Sequence, residues 1–278
     1  MDYVELNVAV REQEMAEILM AELSIYPFES FDVDGGVLKC YIPQESLADC
    51  KAGVDDVLNQ YGIEGARYIS IETQNWNAEW ESNFECVEVG TRLLIRAPFH
   101  DSNPAFEREV VIMPKMSFGT GHHATTHLIA EWTMDLGGEA LLKDKSVLDM
   151  GSGTGVLSIV AAMEGAKSVD AIDIDEWADE NCRENIAMNG VANVVHAKLG
   201  DASSIDGTYD FILANINRNI LVRDMSQYFN AMNPGATILM SGFLEQDVEV
   251  LKEHCAKIGL QFVELRERDG WIAMRFQK

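Results

Sequence analysis

The run Val147-Leu148-Asp149-Met150, followed at once by Gly151-Ser152-Gly153-Thr154-Gly155, constrains this chain more than any other stretch of it. Apolar residues up to Met150 read as a buried strand, and the apolar segment that resumes at Val156 has helical character. Glycine at every second position between them makes a tight turn and lets a ligand approach the backbone. Eighteen residues after Gly155, the next apolar strand closes on Asp173 in Ala171-Ile172-Asp173-Ile174-Asp175. A carboxylate at that strand end is placed to hold ribose hydroxyls. Strand, glycine turn, helix and a second strand ending in an acid together predict a pocket for a nucleotide-like ligand.

Glycine spacing selects among such ligands. The dinucleotide fingerprint is GxGxxG, which uses its third glycine to pack the helix and the helix N-terminus to face a pyrophosphate. Here the order is Asp-x-Gly-x-Gly-x-Gly. Asp149, two positions before the first glycine, would repel a pyrophosphate and suits a ligand that carries an ammonium and a sulfonium. The pattern resembles the S-adenosylmethionine site of Rossmann-like methyltransferases.

At 278 residues the chain has room for one large domain, or for a large and a small one with separate cores. No run approaches the ~18 consecutive apolar residues of a membrane span. The start Met1-Asp2-Tyr3-Val4-Glu5 lacks the basic opening and apolar middle of a signal peptide. A cytoplasmic monomer without a membrane partner is expected. Cys40, Cys50, Cys86, Cys182 and Cys255 lie far apart with no CxxC pair, which suggests neither zinc nor a disulfide framework. The 46 acidic and 21 basic side chains leave a net charge of −25. Such a surface repels phosphate backbones, so no direct nucleic-acid partner is expected, and it is compatible with capturing a strongly basic protein.

Residues 1–72 carry their own pattern. Strand Tyr3 to Val8, helix Arg11 to Leu23, strands Phe28 to Val33 and Val37 to Ile42 around Asp34-Gly35-Gly36, a helix through Ala48, Val54, Val57 and Leu58, and strand Arg67 to Glu72 give the order βαββαβ of a ferredoxin-like sandwich. Residues 73–84, polar with Trp76 and Trp80 one helical turn apart, read as a linker helix. In residues 85–278, Thr91 to Ala97 and Val110 to Met113 look like a hairpin with Pro98 to Phe106 as its loop. Thr125 to Leu136 reads as an amphipathic helix burying Leu128, Ile129, Trp132 and Leu136.

Beyond that helix, strands at Ser146 to Met150, Ser168 to Ile174, Val194 to Leu199, Tyr209 to Asn215 and Thr237 to Ser241 alternate with helices, as a parallel sheet requires. The polar turn Arg266 to Gly270 is too short for a helical crossover, so Trp271 to Phe276 should run antiparallel to Gln261 to Leu265. The expected fold is α/β: a Rossmann-like class I methyltransferase domain with a C-terminal antiparallel strand, preceded by a small ferredoxin-like α+β domain.

Ligands of an open α/β sheet lie beyond the carboxyl ends of its strands, which makes the strand-end residues the candidate site. Asp149 with Gly151, Gly153 and Gly155, then Asp173, Asp201 and Asn215, hold those positions. Asp201 suits acceptance from an exocyclic adenine amine, with a turn role equally open. Asp175 reads as an acid complementing the dipole of the following helix. The carbonyl of Asn215 can accept a hydrogen bond from a substrate amine and orient the nitrogen without fixing its proton as a charge. Methyl transfer is an in-line displacement, so the lone pair must be held on axis with sulfur. Many amino-methyltransferases carry Asn-Pro-Pro-aromatic here; this chain has Asn215-Ile216-Asn217-Arg218, and no aromatic clamp is inferred.

The loop from Met116 to His127 is hinged by Gly119 and Gly121. It could fold Phe118 over the methionine part of the cofactor and use Thr125 or Thr126 to meet its carboxylate. His122 and His123 invite a general-base reading beside a solvent-facing or turn-capping one. With no acidic ligand at fitting spacing, no metal is expected.

Phe118-Gly119-Thr120-Gly121-His122-His123-Ala124-Thr125-Thr126, then Asp149 to Gly155, Ile172 to Asp175 and Ala214-Asn215-Ile216, behind a ferredoxin-like pattern and Trp76/Trp80, resemble the bacterial ribosomal protein L-eleven methyltransferase family over nearly the whole chain. The resemblance implies an N-terminal domain that recognises the ribosomal stalk-base protein, and an S-adenosylmethionine-dependent domain that trimethylates its lysine side chains and N-terminal amine. By motif position it implies Thr126, Gly151, Asp173 and Asn215 as cofactor contacts. Thr125, Asp149, Gly153, Gly155 and Asp201 complete the expected cofactor set, and Asn215 and Phe118 are the expected catalytic residues. The family more often has Thr-His-Pro-Thr-Thr where this chain has His122 to Thr126, and the missing proline should loosen the helix start. Another protein or a small molecule as the amine acceptor, a scaffold without catalysis, and a nicotinamide dehydrogenase are the competing readings. The last is disfavoured by the glycine spacing and the terminal strand.

Overall fold

The computed structural model describes residues 3–10, 13–71, 84–115 and 117–278. The linker expected over 73–84, with Trp76 and Trp80, lies outside them apart from Phe84. The chain divides into two compact units, Met1–Asn83 and Phe84–Lys278.

In the first unit β1 (Tyr3–Ala9), α1 (Gln13–Leu23), β2 (Ser30–Asp34), β3 (Val37–Pro43), α2 (Gln44–Gln60) and β4 (Arg67–Ile71) follow one another. Val4, Leu6 and Val8 are buried while the residues between them are not, which is the period of a half-buried strand. Gly35 and Gly36, with φ of +57° and +81°, make the tight turn between β2 and β3. The sheet order is β2-β3-β1-β4 with every neighbouring pair antiparallel. One sheet face packs on both helices through Leu6, Val8, Leu19, Leu38, Val54 and Leu58.

The second unit opens with β5 (Val87–Val89), β6 (Leu93–Arg96) and β7 (Arg108–Val111). The sequence suggested that the last two form a hairpin; they pair in parallel, and the antiparallel partner of β6 is β5. The connection between them is held against the sheet by polar contacts, partly buried to exposed, that spacing does not reveal. Ala97 N donates to His100 Nδ1 at 3.1 Å, and Arg96 pairs with Glu109 at 3.0 Å, both well covered. Glu109 also accepts from Ser102 and from the Asn103 amide. A loop fixed this way carries the chain back to the start of β6, as a parallel pair requires.

After α3 (Ala124–Gly138) come β8 (Ser146–Met150), α4 (Val156–Met163), β9 (Ser168–Asp173), α5 (Glu176–Met188), β10 (Val195–Leu199), β11 (Tyr209–Asn215), α6 (Arg218–Ala231), β12 (Met232–Leu244), α7 (Val248–Ile258), β13 (Gln261–Arg268) and β14 (Trp271–Gln277). The sheet order is β10-β9-β8-β11-β12-β14-β13. The first five are parallel, and β14 inserts antiparallel between β12 and β13. The β13–β14 turn places Asp269 and Gly270 at φ of +53° and +79°, reversing the chain as its length demanded. β12 is longer than expected because Met232 already pairs with Tyr209 across a register shift.

Successive residues of the central strands feed two cores. Val147 and Leu213 pack with Ile129, Trp132 and Ile159 on one face, while Leu148 and Ile212 pack with Met225, Tyr228 and Leu251 on the other. Burial on both faces is why these strands read as continuous apolar runs. Chain order reverses between β8 and β11, and such a switch point opens a crevice at the strand ends. Among the described residues, no helix is long and apolar enough to cross a membrane.

Candidate functional site

A cleft of about 490 Å³ lies at that switch point. Its walls are Ser117 and Phe118 before α3, Met150, Gly151 and Gly153 after β8, Asp173 to Asp175 after β9, and Gly200 to Ala202 after β10. Asn215 and Ile216 after β11, with Ile220, Arg223, Asp224 and Tyr228 of α6, close the far side. Six of the residues expected from sequence, Phe118, Gly151, Gly153, Asp173, Asp201 and Asn215, thus share one surface.

Gly151, Gly153 and Gly155 have φ of +73°, +54° and +79°, a region that disfavours any side chain. Space forbids one as well. A Cβ on Gly151 would strike the side chain of Ile216, one on Gly153 the carbonyl oxygen of Phe118, and one on Gly155 the sulfur of Cys182 at 2.6 Å. The turn therefore serves as a docking point for neighbouring segments. Thr154 fastens the Phe118 loop to it, its amide donating to Phe118 O at 2.9 Å and its hydroxyl to Gly119 O at 2.6 Å.

Asp173 accepts from the amides of Gly153 at 2.8 Å and Asp175 at 3.0 Å. A carboxylate has about four acceptor sites, so two contacts leave capacity for a pair of hydroxyls. Asp201 caps the short 3-10 turn Ala202–Ser204, accepting from the Ser203 amide at 2.9 Å and hydroxyl at 2.6 Å. Those two bonds hold its carboxyl below the usual range. It is a turn residue and a cleft residue at once. Asp175 caps α5, accepting from Trp177 N at 2.8 Å, as the helix-start reading expected.

Asp149 sits one layer behind the surface that a ligand would touch. It is 1% exposed, accepts from Ser158 Oγ at 2.6 Å, and its Oδ1 has no partner. Burial pushes its carboxyl up to about 7. Gly155, at the N-cap of α4, likewise stands behind the cleft.

Asn215 Nδ2 donates to Thr126 Oγ1 at 3.2 Å, which leaves Oδ1 as the free acceptor of the amide. Thr125 and Thr126 are buried in the first turn of α3 and do not line the cleft. His123 caps that helix: its Nδ1 accepts from Thr125 N at 3.3 Å and meets the Thr125 hydroxyl at 2.8 Å. The helix start that lacks the proline is thus fastened by a side-chain cap. His122 is held between Thr120 Oγ1 at 3.0 Å and Glu85 O at 3.1 Å, so both ring nitrogens are engaged.

Sequence reasoning missed Trp271. Phe118, His123 and Trp271 form a row of edge-on rings, with centroids 5.3 Å and 4.6 Å apart. Trp271 opens β14, far along the chain, and only the insertion of that strand beside β12 brings it here. Ile174, Ile216, Ile220 and the α6 residues Arg223, Asp224 and Tyr228 were also unforeseen, because a helix spacing does not say which turn meets a crevice.

The cleft fits an adenosyl sulfonium better than a pyrophosphate. Among the described residues, Asp173, Asp175, Asp201 and Asp224 line it against one cation, Arg223, whose guanidinium is already bound to Asp224 through two contacts of 2.7 Å. Ile174, Ile216 and Ile220 supply apolar wall between the acids. Carboxylates at this density favour positive charge and oppose phosphate.

A family model described as "Ribosomal protein L11 methyltransferase (PrmA)" matches residues 7–278. The "Ribosomal protein L11 methyltransferase" of Phocaeicola vulgatus is 44% identical over 260 residues, covering 90% of this chain and 89% of that protein. The protein of the same description from Chlorobaculum tepidum is 34% identical over 282 residues, covering 98% and 95%. The crystal structure of ribosomal protein L11 methylase from Lactobacillus delbrueckii subsp. bulgaricus matches with a TM-score of 0.63 at 26% identity, over 69% of this chain and 98% of that one. The second unit accordingly has a methyltransferase-like α/β fold with a large mixed sheet.

Proposed function

The chain belongs to the ribosomal protein L11 methyltransferase family, and from that premise we propose that it transfers methyl groups from S-adenosylmethionine to lysine side-chain and N-terminal amines of the ribosomal stalk-base protein L11. The observation that carries this reading is the Asn215 amide, fixed by Thr126 at the end of β11 with Oδ1 left free beside the glycine turn.

Asp173 would hold the ribose hydroxyls, Asp201 the exocyclic adenine amine, and the main chain at Gly151 and Gly153 the middle of the cofactor. When bound, S-adenosylmethionine supplies a methyl group on a positively charged sulfur. Asn215 Oδ1 accepts a hydrogen bond from the substrate amine and holds its lone pair toward that methyl. The chemistry the cofactor would supply is displacement at that methyl, in which the C–N bond would form as the C–S bond breaks with its electron pair returning to sulfur, and the amine proton would pass to water. The neutral amide takes up no charge in the exchange. Phe118 of the cleft wall, with the His123 and Trp271 rings in series from it, would offer aromatic surface suited to an ammonium and to its increasingly methylated forms.

The first unit, which we read as ferredoxin-like from its βαββαβ order and its β2-β3-β1-β4 antiparallel sheet, would recognise the protein substrate. A net charge of −25 supports a basic protein as the partner of a cytoplasmic, monomeric enzyme. Incubation with radiolabelled S-adenosylmethionine and total ribosomal proteins should label one small basic protein. Label found only on low-molecular-weight material would replace the ribosomal substrate with a small-molecule amine.

A further inference from the structure

The α6 wall of the cleft holds a hydroxyl with nothing to bind. Tyr228 is 0% exposed yet belongs to the cleft lining, and its hydroxyl has no hydrogen-bond partner. The carboxylate nearby does not meet it: Asp224, 4% exposed, is paired with the Arg223 fork at 2.7 Å to each oxygen and makes no hydrogen bond to the phenol. Burial, and then the charge of Asp224, raise the phenol's affinity for its proton, so it remains a donor throughout the neutral range. Asp201, whose charge also reaches this phenol, stands on the opposing 3-10 turn and faces the same recess. A buried donor left without an acceptor is costly, and such groups persist where a ligand completes them.

We propose that Tyr228 is a specificity-determining residue of the cleft, its hydroxyl donating to a ring nitrogen of the adenine base while Asp201 accepts from the exocyclic amine. The inference rests on the S-adenosylmethionine reading of the cleft and adds to it a contact from the third turn of α6. The recess then offers one donor and one acceptor, which matches a heteroaromatic edge carrying a bare nitrogen and an amino group. Asp224, paired with Arg223, makes no hydrogen bond to the phenol, whose proton is available to the base.

Calorimetric titration of the full chain and of Tyr228→Phe with S-adenosylhomocysteine and its 1-deaza, 3-deaza and 7-deaza analogues tests this. Phenylalanine keeps the packing and removes the donor. The wild-type chain should lose about tenfold in affinity for one deaza analogue, and Tyr228→Phe should bind that analogue and the parent equally, each about tenfold weaker than the wild type binds the parent. Unchanged binding of the parent by Tyr228→Phe overturns the proposal. So does an equal loss on all four ligands, which marks a packing role. Failure of the wild-type chain to bind S-adenosylhomocysteine would instead remove the cofactor reading, and this inference with it.

Discussion

Asn215 and Thr126 are joined by a 3.2 Å hydrogen bond that ties the end of β11 to the first turn of α3, and its direction decides which atom of the amide faces the cleft. Replacing Asn215 by Ala removes the acceptor, and turnover should fall roughly 10²-fold, the scale on which misplacing a reacting group acts. Thr126→Val keeps the shape and frees the amide to rotate, so a smaller loss, about tenfold, is expected. Steady-state kinetics beside calorimetric binding of S-adenosylhomocysteine checks both. A loss confined to cofactor affinity would place Asn215 outside the transfer step.

Gly153 carries both a left-handed φ of +54° and a backbone oxygen where a Cβ would sit, whereas Gly190 has φ of +68° and open space. Gly190→Ala should therefore cost about 1–2 kcal/mol from conformation alone. Gly153→Ala should cost more, because the Phe118 loop must detach, and cofactor affinity should fall with it. Thermal melts and titrations of the two variants give the comparison; equal stability loss and intact binding in Gly153→Ala would contradict the docking role of the turn.

Asp149 links stability to pH. Its buried carboxyl is pushed up to about 7 from an ordinary 3.8. Between those values the folded chain holds a proton that the unfolded chain has released, so this group's contribution is complete below about pH 4 and is lost as pH rises to about 7. Asp149→Asn cannot ionise, and its stability relative to the wild type should improve as pH is raised across that window. Urea unfolding of both chains, at several pH values across the window, measures this. A difference that does not move with pH would mean that Asp149 titrates as an ordinary surface acid.

His123 has two roles that one pair of substitutions separates. It caps α3 through Thr125 N and lies between Phe118 and Trp271. His123→Ala should lose about 1 kcal/mol of stability with the cap. His123→Asn restores a capping acceptor but no ring, so its melting temperature should recover while KM for the protein substrate stays raised. Recovery of both properties in His123→Asn would leave the aromatic row without a part in substrate binding.

Much of this site was legible before any coordinates, because its parts sit at strand ends and glycine turns, where local sequence and geometry are tightly coupled. Asp173 and Asn215 end apolar runs whose burial on both faces marks them as inner strands, Asp201 follows the partly buried edge strand β10, and the short turn before Trp271 compels an antiparallel return. Pairing between segments was less visible. The β6–β7 connection looks like a hairpin loop until Arg96, His100 and Glu109 are seen to fold it back. Depth was also hidden: Asp149 belongs to the motif but lies beneath the turn, and Thr125 and Thr126 work through His123 and Asn215 rather than at the cleft surface. Tyr228 reaches the cleft, and Trp271 the row of Phe118 and His123, only through tertiary packing, which no periodicity encodes.

The most direct test is intact-mass spectrometry of purified ribosomal protein L11 after incubation with S-adenosylmethionine and this chain. The mass of L11 should rise by whole methyl increments with the wild-type chain, and far more slowly with Asn215→Ala. An L11 mass that stays unchanged under conditions where the chain binds the cofactor would contradict the account.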